Sequence, residues 1–179
     1  MPWYRWNTKS FLAPILKKEL EKIGYDVWLP QLPDTDNPDI KKWLPFALEN
    51  RKYDQDSVLI GHSAGNPLIL SILENLEVKV KLAIMVAAFS EPNDLDIEKE
   101  PILQDKYNWN KINNNCEHTI IINSDNDPWG CNDVAGLKIF KKLGGDLIIR
   151  HRQGHMGSDA FKQPYKKFPL LVSLVRSFE

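Results

Sequence analysis

Apolar positions along the chain follow two patterns, one typical of helices and one typical of buried strands. Residues 11–23 are apolar at every third or fourth position, which predicts an amphipathic helix that ends at Gly24. Residues 81–89 show almost no polar alternation, as expected for a strand in a parallel sheet covered on both faces. By the same criteria, further helices are predicted at about 38–48, 68–76, 134–143 and from 169, and further strands at 26–30, 57–60, 119–123 and 147–149.

Strands and helices therefore alternate along all 179 residues, without an internal repeat or a low-complexity linker. A chain of this length usually forms one domain, and alternating elements of this kind build a parallel sheet between helices. We expect a single α/β domain over residues 1–179, with three layers and a mainly parallel central sheet. Pro45 is expected to bend or shorten the helix that contains it, because proline lacks the backbone N–H.

Composition and charge exclude several classes of protein. The 23 lysines and arginines nearly balance the 24 acidic residues, so the chain has no overall basic footprint for nucleic acid or an anionic membrane. No apolar run approaches the roughly 20 residues of a membrane-spanning helix, and no signal peptide is recognisable. Cys116 and Cys131 have no histidine or cysteine at metal-ligand spacing, which predicts two ordinary thiols rather than a zinc site. These features predict a cytoplasmic protein.

The segment Gly61-His62-Ser63-Ala64-Gly65 stands between a predicted strand and a predicted helix. It is a G-x-S-x-G motif in the strand–turn–helix context of a nucleophile elbow, in which the glycines allow a sharp turn that exposes the serine hydroxyl. The backbone N–H of Ala64 and the positive end of the following helix would then face a developing oxyanion. The motif is common, and the alternative is a tight turn with an unreactive serine.

A nucleophilic serine needs a base and an acid that orients the base, and in this type of fold they follow in the order serine, acid, histidine. The predicted strand at 119–123 runs into Asp125 and Asp127, and the last predicted strand runs into His151 and His155. All four lie just after strands, so parallel pairing would bring them to one edge of the sheet. The positions after the last strand favour His155 over His151 as the base. Either aspartate could be the orienting acid. His62 directly precedes the serine and is expected to support the elbow by hydrogen bonding.

Four segments together resemble the YdeN-like family of small serine hydrolases: residues 61–65 (GHSAG), 108–112 (NWNKI), 124–128 (SDNDP) and 154–155 (GH). The likeness extends over nearly the whole chain from about residue 11. It implies an α/β-hydrolase-like fold with Ser63 as the nucleophile and His155 as the base. It also implies that Asp127, directly before a proline, is the orienting acid, that Asp125 is its neighbour, and that no metal or cofactor takes part.

The N-terminal segment departs from this family. Its members begin with an apolar strand that ends in a His-Gly loop, which supplies a second oxyanion N–H, whereas residues 1–10 contain neither feature. We therefore expect the first strand of the sheet to be missing. A shortened chain, a substitute loop at residues 2–6 and a strand from a neighbouring chain are three explanations. Loss of one oxyanion donor typically costs about 10²–10³ in rate.

The sequence thus predicts a serine hydrolase that cleaves a small ester, or alternatively an amide or peptide, through Ser63, His155 and Asp127, with Ala64 N–H as an oxyanion donor. The first alternative is a catalytically impaired protein that keeps the hydrolase fold and acts as a binding module. A transferase or lyase using the same triad is a third possibility. Three further side chains are candidates for lining the substrate site: Trp109, Trp129 and Met156.

Overall fold

The computed structural model describes residues 12–92, 101–157 and 168–178. Four strands form one parallel sheet in the order β1-β2-β3-β4: β1 (Val58–His62), β2 (Val80–Val86), β3 (Cys116–Ser124) and β4 (Asp146–Arg150). The helices of the described ranges are α1 (Leu12–Glu21), α2 (Ile40–Asn50), α3 (Gly65–Asn75), α4 (Trp109–Asn114), α5 (Asp133–Leu143) and α6 (Pro169–Arg176). None of these helices is both long enough and apolar enough to span a membrane.

The sheet is covered on both faces because neighbouring residues of β2 point to opposite sides. Ala83 and Met85 pack in an apolar cluster that contains side chains from α2, α3, α4 and α5. On the other face, Leu82, Ile84 and Val86 join a cluster with residues of α1 and α6. Burying a side chain of this size contributes about 1.5–3 kcal/mol, so the uninterrupted apolar run at 82–86 stabilises both interfaces. The predicted three-layer arrangement with a parallel sheet is confirmed.

The short strand predicted at 26–30 is not formed, and this prediction was wrong. Side chains from α1 and from the residue after α2 hold the segment instead: Lys17 Nζ donates to the carbonyl of Val27 at 3.1 Å, and Arg51 pairs with Asp26 at 2.8 Å. Within the described ranges no strand lies beyond the outer edge of β1, so the segment has no partner for a ladder. The expectations for residues 1–10, including the substitute loop, fall outside the described residues.

Helix α2 runs through Pro45 to Asn50, so the proline that was expected to bend or shorten the helix does not shorten it. Its start is capped by Asp39, whose carboxylate accepts the N–H of Lys41 at 2.9 Å. Trp43 and Ala47 lie one turn apart on the same side and are both buried against the core. This burial outweighs the one backbone hydrogen bond that a proline removes from a helix.

Candidate active site

Ser63 lies in the turn between β1 and α3, where its backbone adopts a left-handed conformation with φ of 51°. Two backbone hydrogen bonds fix the turn: Ser63 N–H donates to Val86 O at 3.0 Å, and Asn66 N–H donates to Ser63 O at 2.9 Å. A left-handed backbone costs a residue with a side chain roughly 1–2 kcal/mol. Strain of this kind is typical of a nucleophile elbow, in which a sharp turn exposes the hydroxyl.

The two glycines of the motif meet different surroundings. A Cβ added at Gly61 would lie 2.7 Å from Ile69 Cδ1 and 2.9 Å from Asn66 Oδ1, because β1 passes directly against α3. A Cβ at Gly65 would have no neighbour within 4 Å. Close packing therefore requires glycine at position 61, whereas position 65 has room for a side chain.

Substitution of the two glycines should change the free energy of unfolding by different amounts. Gly61→Ala is expected to lower the free energy of unfolding by about 1–3 kcal/mol, as overpacking of a filled site does. Gly65→Ala, the matched control at the start of α3, is expected to be neutral or to stabilise by up to about 1 kcal/mol, since alanine favours the helix. Urea unfolding followed by tryptophan fluorescence measures both. Equal losses at the two positions would contradict the packing argument.

His155 and Asp127 form a buried pair at the carboxyl end of the sheet. Nδ1 of His155 lies 2.7 Å from Oδ2 of Asp127, and the two side chains are 9% and 0% exposed. The other carboxylate oxygen accepts the backbone N–H of Trp129 at 2.9 Å, which fixes the orientation of the acid. Because a carboxylate only accepts, Nδ1 carries the proton, and Nε2 of the neutral ring keeps a lone pair for another donor.

A second aspartate–histidine pair lies on the surface nearby. Nδ1 of His151 is 2.5 Å from Oδ2 of Asp125, but these side chains are 80% and 33% exposed. The backbone N–H of Arg152, followed by the His151 side chain, lowers the pKa of Asp125. The structure therefore joins each aspartate to a different histidine, and only the pair made by Asp127 is shielded from water.

His62 joins the elbow to the buried pair. Its Nε2 donates to the carbonyl of His155 at 2.6 Å, and the two rings meet edge to face with centroids 4.7 Å apart. Burial, and then the charge of a protonated His155, lowers the pKa of His62 to about 3, so His62 stays neutral. Among the described residues no hydrogen bond joins the Ser63 hydroxyl to His155, and such bonds are often long in unliganded enzymes.

The loop that carries His155 is held by the segment that precedes Asp127. Ser124 Oγ accepts the N–H of Gln153 at 2.9 Å, and Asn126 Oδ1 accepts the N–H of Gly154 at 2.8 Å. Ser124 also donates to Asn126 at 2.8 Å. Left-handed backbone recurs in the loop, at Arg152, Gly154, Met156 and Gly157. The segment thus stabilises a strained loop, a role that the sequence patterns did not indicate.

Removal of the Asn126 carbonyl should displace the His155 loop. With His155 as the base that the sequence predicts, we expect Asn126→Ala to lower kcat about 10–100-fold with little change in KM, since small misplacements of a catalytic group have effects of this size. Asn126→Asp retains an acceptor for Gly154 N–H and is the matched control, with a much smaller loss. Steady-state kinetics on a short-chain ester measure both. A normal kcat in a folded Asn126→Ala variant would show that the loop holds its position without this contact.

The three candidate substrate-site side chains lie in different surroundings. The Trp129 ring meets His155 edge to face, with centroids 4.7 Å apart, and is partly exposed. Met156 is only 1% exposed and packs in the apolar cluster with α1 and α6. Trp109 begins α4, packs against the other cluster, and has its ring 5.3 Å from that of Tyr107. Of the three, Trp129 is the one whose ring the structure places against His155.

Ala64 immediately precedes α3 and serves as its N-cap residue. Within the described ranges its backbone N–H donates to no acceptor, although it lies at the positive end of the helix. This N–H could therefore donate a hydrogen bond to an anion formed beside Ser63. Residues 2–6, the substitute loop considered for the missing second oxyanion donor, fall outside the described ranges.

Cys131 lies closer to the buried pair than its position in the sequence indicated. The turn after Asp127, closed by Gly130 N–H donating to Asp127 O at 3.4 Å, reverses the chain. As a result, Cys131 Sγ, an oxygen of Asp127 and a ring nitrogen of His155 all lie within 4.8 Å of one another. The sequence showed no metal-ligand spacing among these residues, because Asp127 and Cys131 follow β3 whereas His155 follows β4. Cys116 is the first residue of β3, at the end of the strand away from Asp127 and Cys131.

Comparison with known proteins places this geometry in context. A family model described as "Serine hydrolase" matches residues 17–175. The serine hydrolase RBBP9 of Rattus norvegicus is 30% identical over 131 residues, which cover 71% of this chain and 63% of that protein. The protein YdeN of Bacillus subtilis (strain 168) is 27% identical over 179 aligned residues, covering 98% of this chain and 92% of that protein. The likeness to YdeN thus extends over nearly the full length of both chains.

The fold is shared with a solved structure as well. The crystal structure of the ydeN gene product from B. subtilis superposes with a TM-score of 0.78, at 22% sequence identity, over 92% of this chain and 88% of that one. At this level of identity the likeness concerns the fold. It agrees with the three layers and the parallel sheet described above.

Proposed function

The chain belongs to the serine hydrolase family, and we propose that it hydrolyses a small ester through an acyl-enzyme formed on Ser63. The observation that carries this proposal is the buried His155–Asp127 pair at 2.7 Å, held beside the elbow by His62. An esterase requires a serine whose proton can be removed near neutral pH. In the pair, the carboxylate of Asp127 faces Nδ1, which leaves Nε2 of His155 as the nitrogen that takes the serine proton.

In the proposed mechanism, Ser63 attacks the ester carbonyl while Nε2 of His155 takes the hydroxyl proton. Asp127 holds Nδ1–H and stabilises the imidazolium that forms. The imidazolium then protonates the alcohol that leaves, and the acyl group stays on Ser63. A water molecule, activated by the same nitrogen, hydrolyses the acyl-enzyme and restores the serine.

Two further groups support the reaction in this proposal. Ala64 N–H donates to the oxyanion of the tetrahedral intermediate, where one donor typically contributes about 10²–10³ in rate. The partly exposed Trp129 ring, which contacts His155, forms an apolar wall for the acyl or alcohol part of the substrate. Neither group requires a metal or an organic cofactor, which matches the chemistry of a triad.

Labelling with a fluorophosphonate probe tests the proposal, because such probes react only with an activated serine. The intact chain should be labelled stoichiometrically on the peptide that contains Ser63, as identified by mass spectrometry. Ser63→Ala and His155→Ala should both remain unlabelled, while circular dichroism shows that they fold. A folded wild-type chain that stays unlabelled would overturn the proposal and would favour the binding-module alternative.

A further inference from the structure

We propose that Asp127, Cys131 and His155 form an inhibitory site for Zn²⁺, in which the metal replaces the proton between Asp127 and His155. The binding site follows from the geometry of these side chains alone. The inhibition rests on the proposed function, because it acts through the base that activates Ser63.

The three side chains supply the ligand atoms that zinc prefers. One carboxylate oxygen, one thiol sulfur and one imidazole nitrogen lie within 4.8 Å of one another. Tetrahedral zinc, with bonds of about 2.0–2.3 Å, needs ligand atoms roughly 3.3–3.6 Å apart. The 2.7 Å contact between Asp127 and His155 must therefore open by about 0.6 Å. The sulfur must approach the other two ligand atoms by up to about 1.5 Å, which requires a rotation of the Cys131 side chain.

Burial and charge select the class of metal. All three side chains are largely buried, so an uncompensated charge there would be costly. Carboxylate, thiolate and neutral imidazole together carry two negative charges, which one divalent cation neutralises. The single oxygen ligand disfavours Mg²⁺ and Ca²⁺, whereas sulfur and nitrogen favour Zn²⁺ and its spectroscopic substitute Co²⁺.

Backbone contacts on each side hold the ligands in place before a metal arrives. Trp129 N–H donates to the Asp127 oxygen that does not face His155, at 2.9 Å. Directly after Cys131, Asn132 caps α5, and its carbonyl accepts Asn123 Nδ2 at 2.6 Å. The first bond orients the Asp127 carboxylate as partners of metal ligands do, and the second fixes the backbone directly after Cys131.

Metal binding changes the tautomer of His155. In the metal-free site, Nδ1 carries the proton toward Asp127, and Nε2 has the lone pair that accepts the serine proton. When zinc bonds to Nδ1, that proton moves to Nε2, and the Cys131 thiol releases its own proton to solvent. The imidazole then has no free lone pair, so it no longer accepts the proton of Ser63. Zinc would therefore inhibit without touching the nucleophile.

Cobalt titration of the full chain tests the site directly. Wild-type protein should develop a thiolate-to-Co²⁺ charge-transfer band in the near ultraviolet, saturating at one metal per chain and lost on addition of Zn²⁺. Cys131→Ser should bind Co²⁺ at least about 100-fold more weakly. This loss is larger than the one expected from substitution of a residue that only hydrogen-bonds to a metal ligand. Cys116→Ser is the matched control and should keep the band. Absence of the band in wild type, or its persistence in Cys131→Ser, would overturn the site.

Fluorophosphonate labelling then tests the inhibition. Zn²⁺ should suppress labelling of Ser63 in parallel with site occupancy, and a chelator should restore it. Cys131→Ser should be labelled normally without metal and should resist zinc. A saturated site with undiminished labelling would refute the tautomer change. If metal-free wild type is never labelled, the proposed function fails, while the cobalt titration still decides whether the site exists.

Discussion

Replacing His155 with glutamine is expected to lower kcat/KM for a short-chain ester by about 10⁴–10⁶-fold, as loss of the general base does in triad enzymes. Glutamine is similar in length and can still contact Asp127, so the packing of the loop is largely kept. It has no group that accepts a proton at neutral pH, and Ser63 would remain a weakly nucleophilic alcohol. The measurement is the steady-state rate, with the labelling rate of Ser63 as a second readout.

His151→Gln is the matched control for this loss. It makes the same chemical change four residues earlier, in a histidine that pairs with Asp125 on the surface. We expect its activity to stay close to that of the wild-type chain. A loss at His151 comparable to that at His155 would reassign the base to the exposed pair.

Asp127→Asn should lower kcat about 10⁴-fold, the loss seen when an aspartate that orients a catalytic histidine becomes an amide. The amide is nearly the same size, so the site keeps its shape. Its NH₂ group, however, can donate to Nδ1 of His155 and thereby favour the tautomer with the proton on Nε2. Steady-state kinetics measure the loss, and thermal unfolding shows whether the variant is folded.

Asp125→Asn distinguishes the two carboxylates. Asp125 accepts the N–H of Arg152 at 2.7 Å and pairs with His151, whereas the carboxylate that pairs with His155 is that of Asp127. We therefore expect a loss of less than about tenfold, from a slight loosening of the loop. If this variant lost as much activity as Asp127→Asn, the assignment of Asp127 as the orienting acid would be wrong.

The sequence was sufficient to indicate the fold and the region of the site, because both depend on strand ends. Long apolar runs identified the strands, and parallel pairing then required that their carboxyl ends meet. Ser63, Asp127 and His155 each follow a strand, so their approach could be expected from topology alone.

Contacts within the loops were not predictable in the same way. The hydrogen bonds of Ser124 and Asn126 to the His155 loop depend on left-handed residues in that loop, which no periodicity reveals. The approach of Cys131 to His155 depends on a turn at one strand and a loop at the next. Helix α4, too short for a periodic signal, was also missed, although Asn108 accepts Lys111 N–H as its N-cap.

Two local preferences of the sequence were overridden for a common reason. The segment at 26–30 has the composition of a strand but no neighbouring strand in the described sheet, and Pro45 opposes a helix whose buried face holds it together. In both cases the expectation came from the local sequence alone, without the neighbouring elements that the segment packs against or lacks. Propensities are weak compared with burial, so such preferences are readily overridden.

The four described strands have the same order in the sheet as along the chain, which is also the order in which they are synthesised. During synthesis the elbow at Ser63 can therefore form on β1 and β2 before β3 and β4 exist, consistent with folding of the earlier-made segments first. Asp127 follows with β3, and His155 arrives only after β4 has joined the edge of the sheet. In the proposed mechanism the growing chain thus carries its nucleophile in an unreactive form, and the hydroxyl gains its base only after β4 and the loop that follows it have been synthesised.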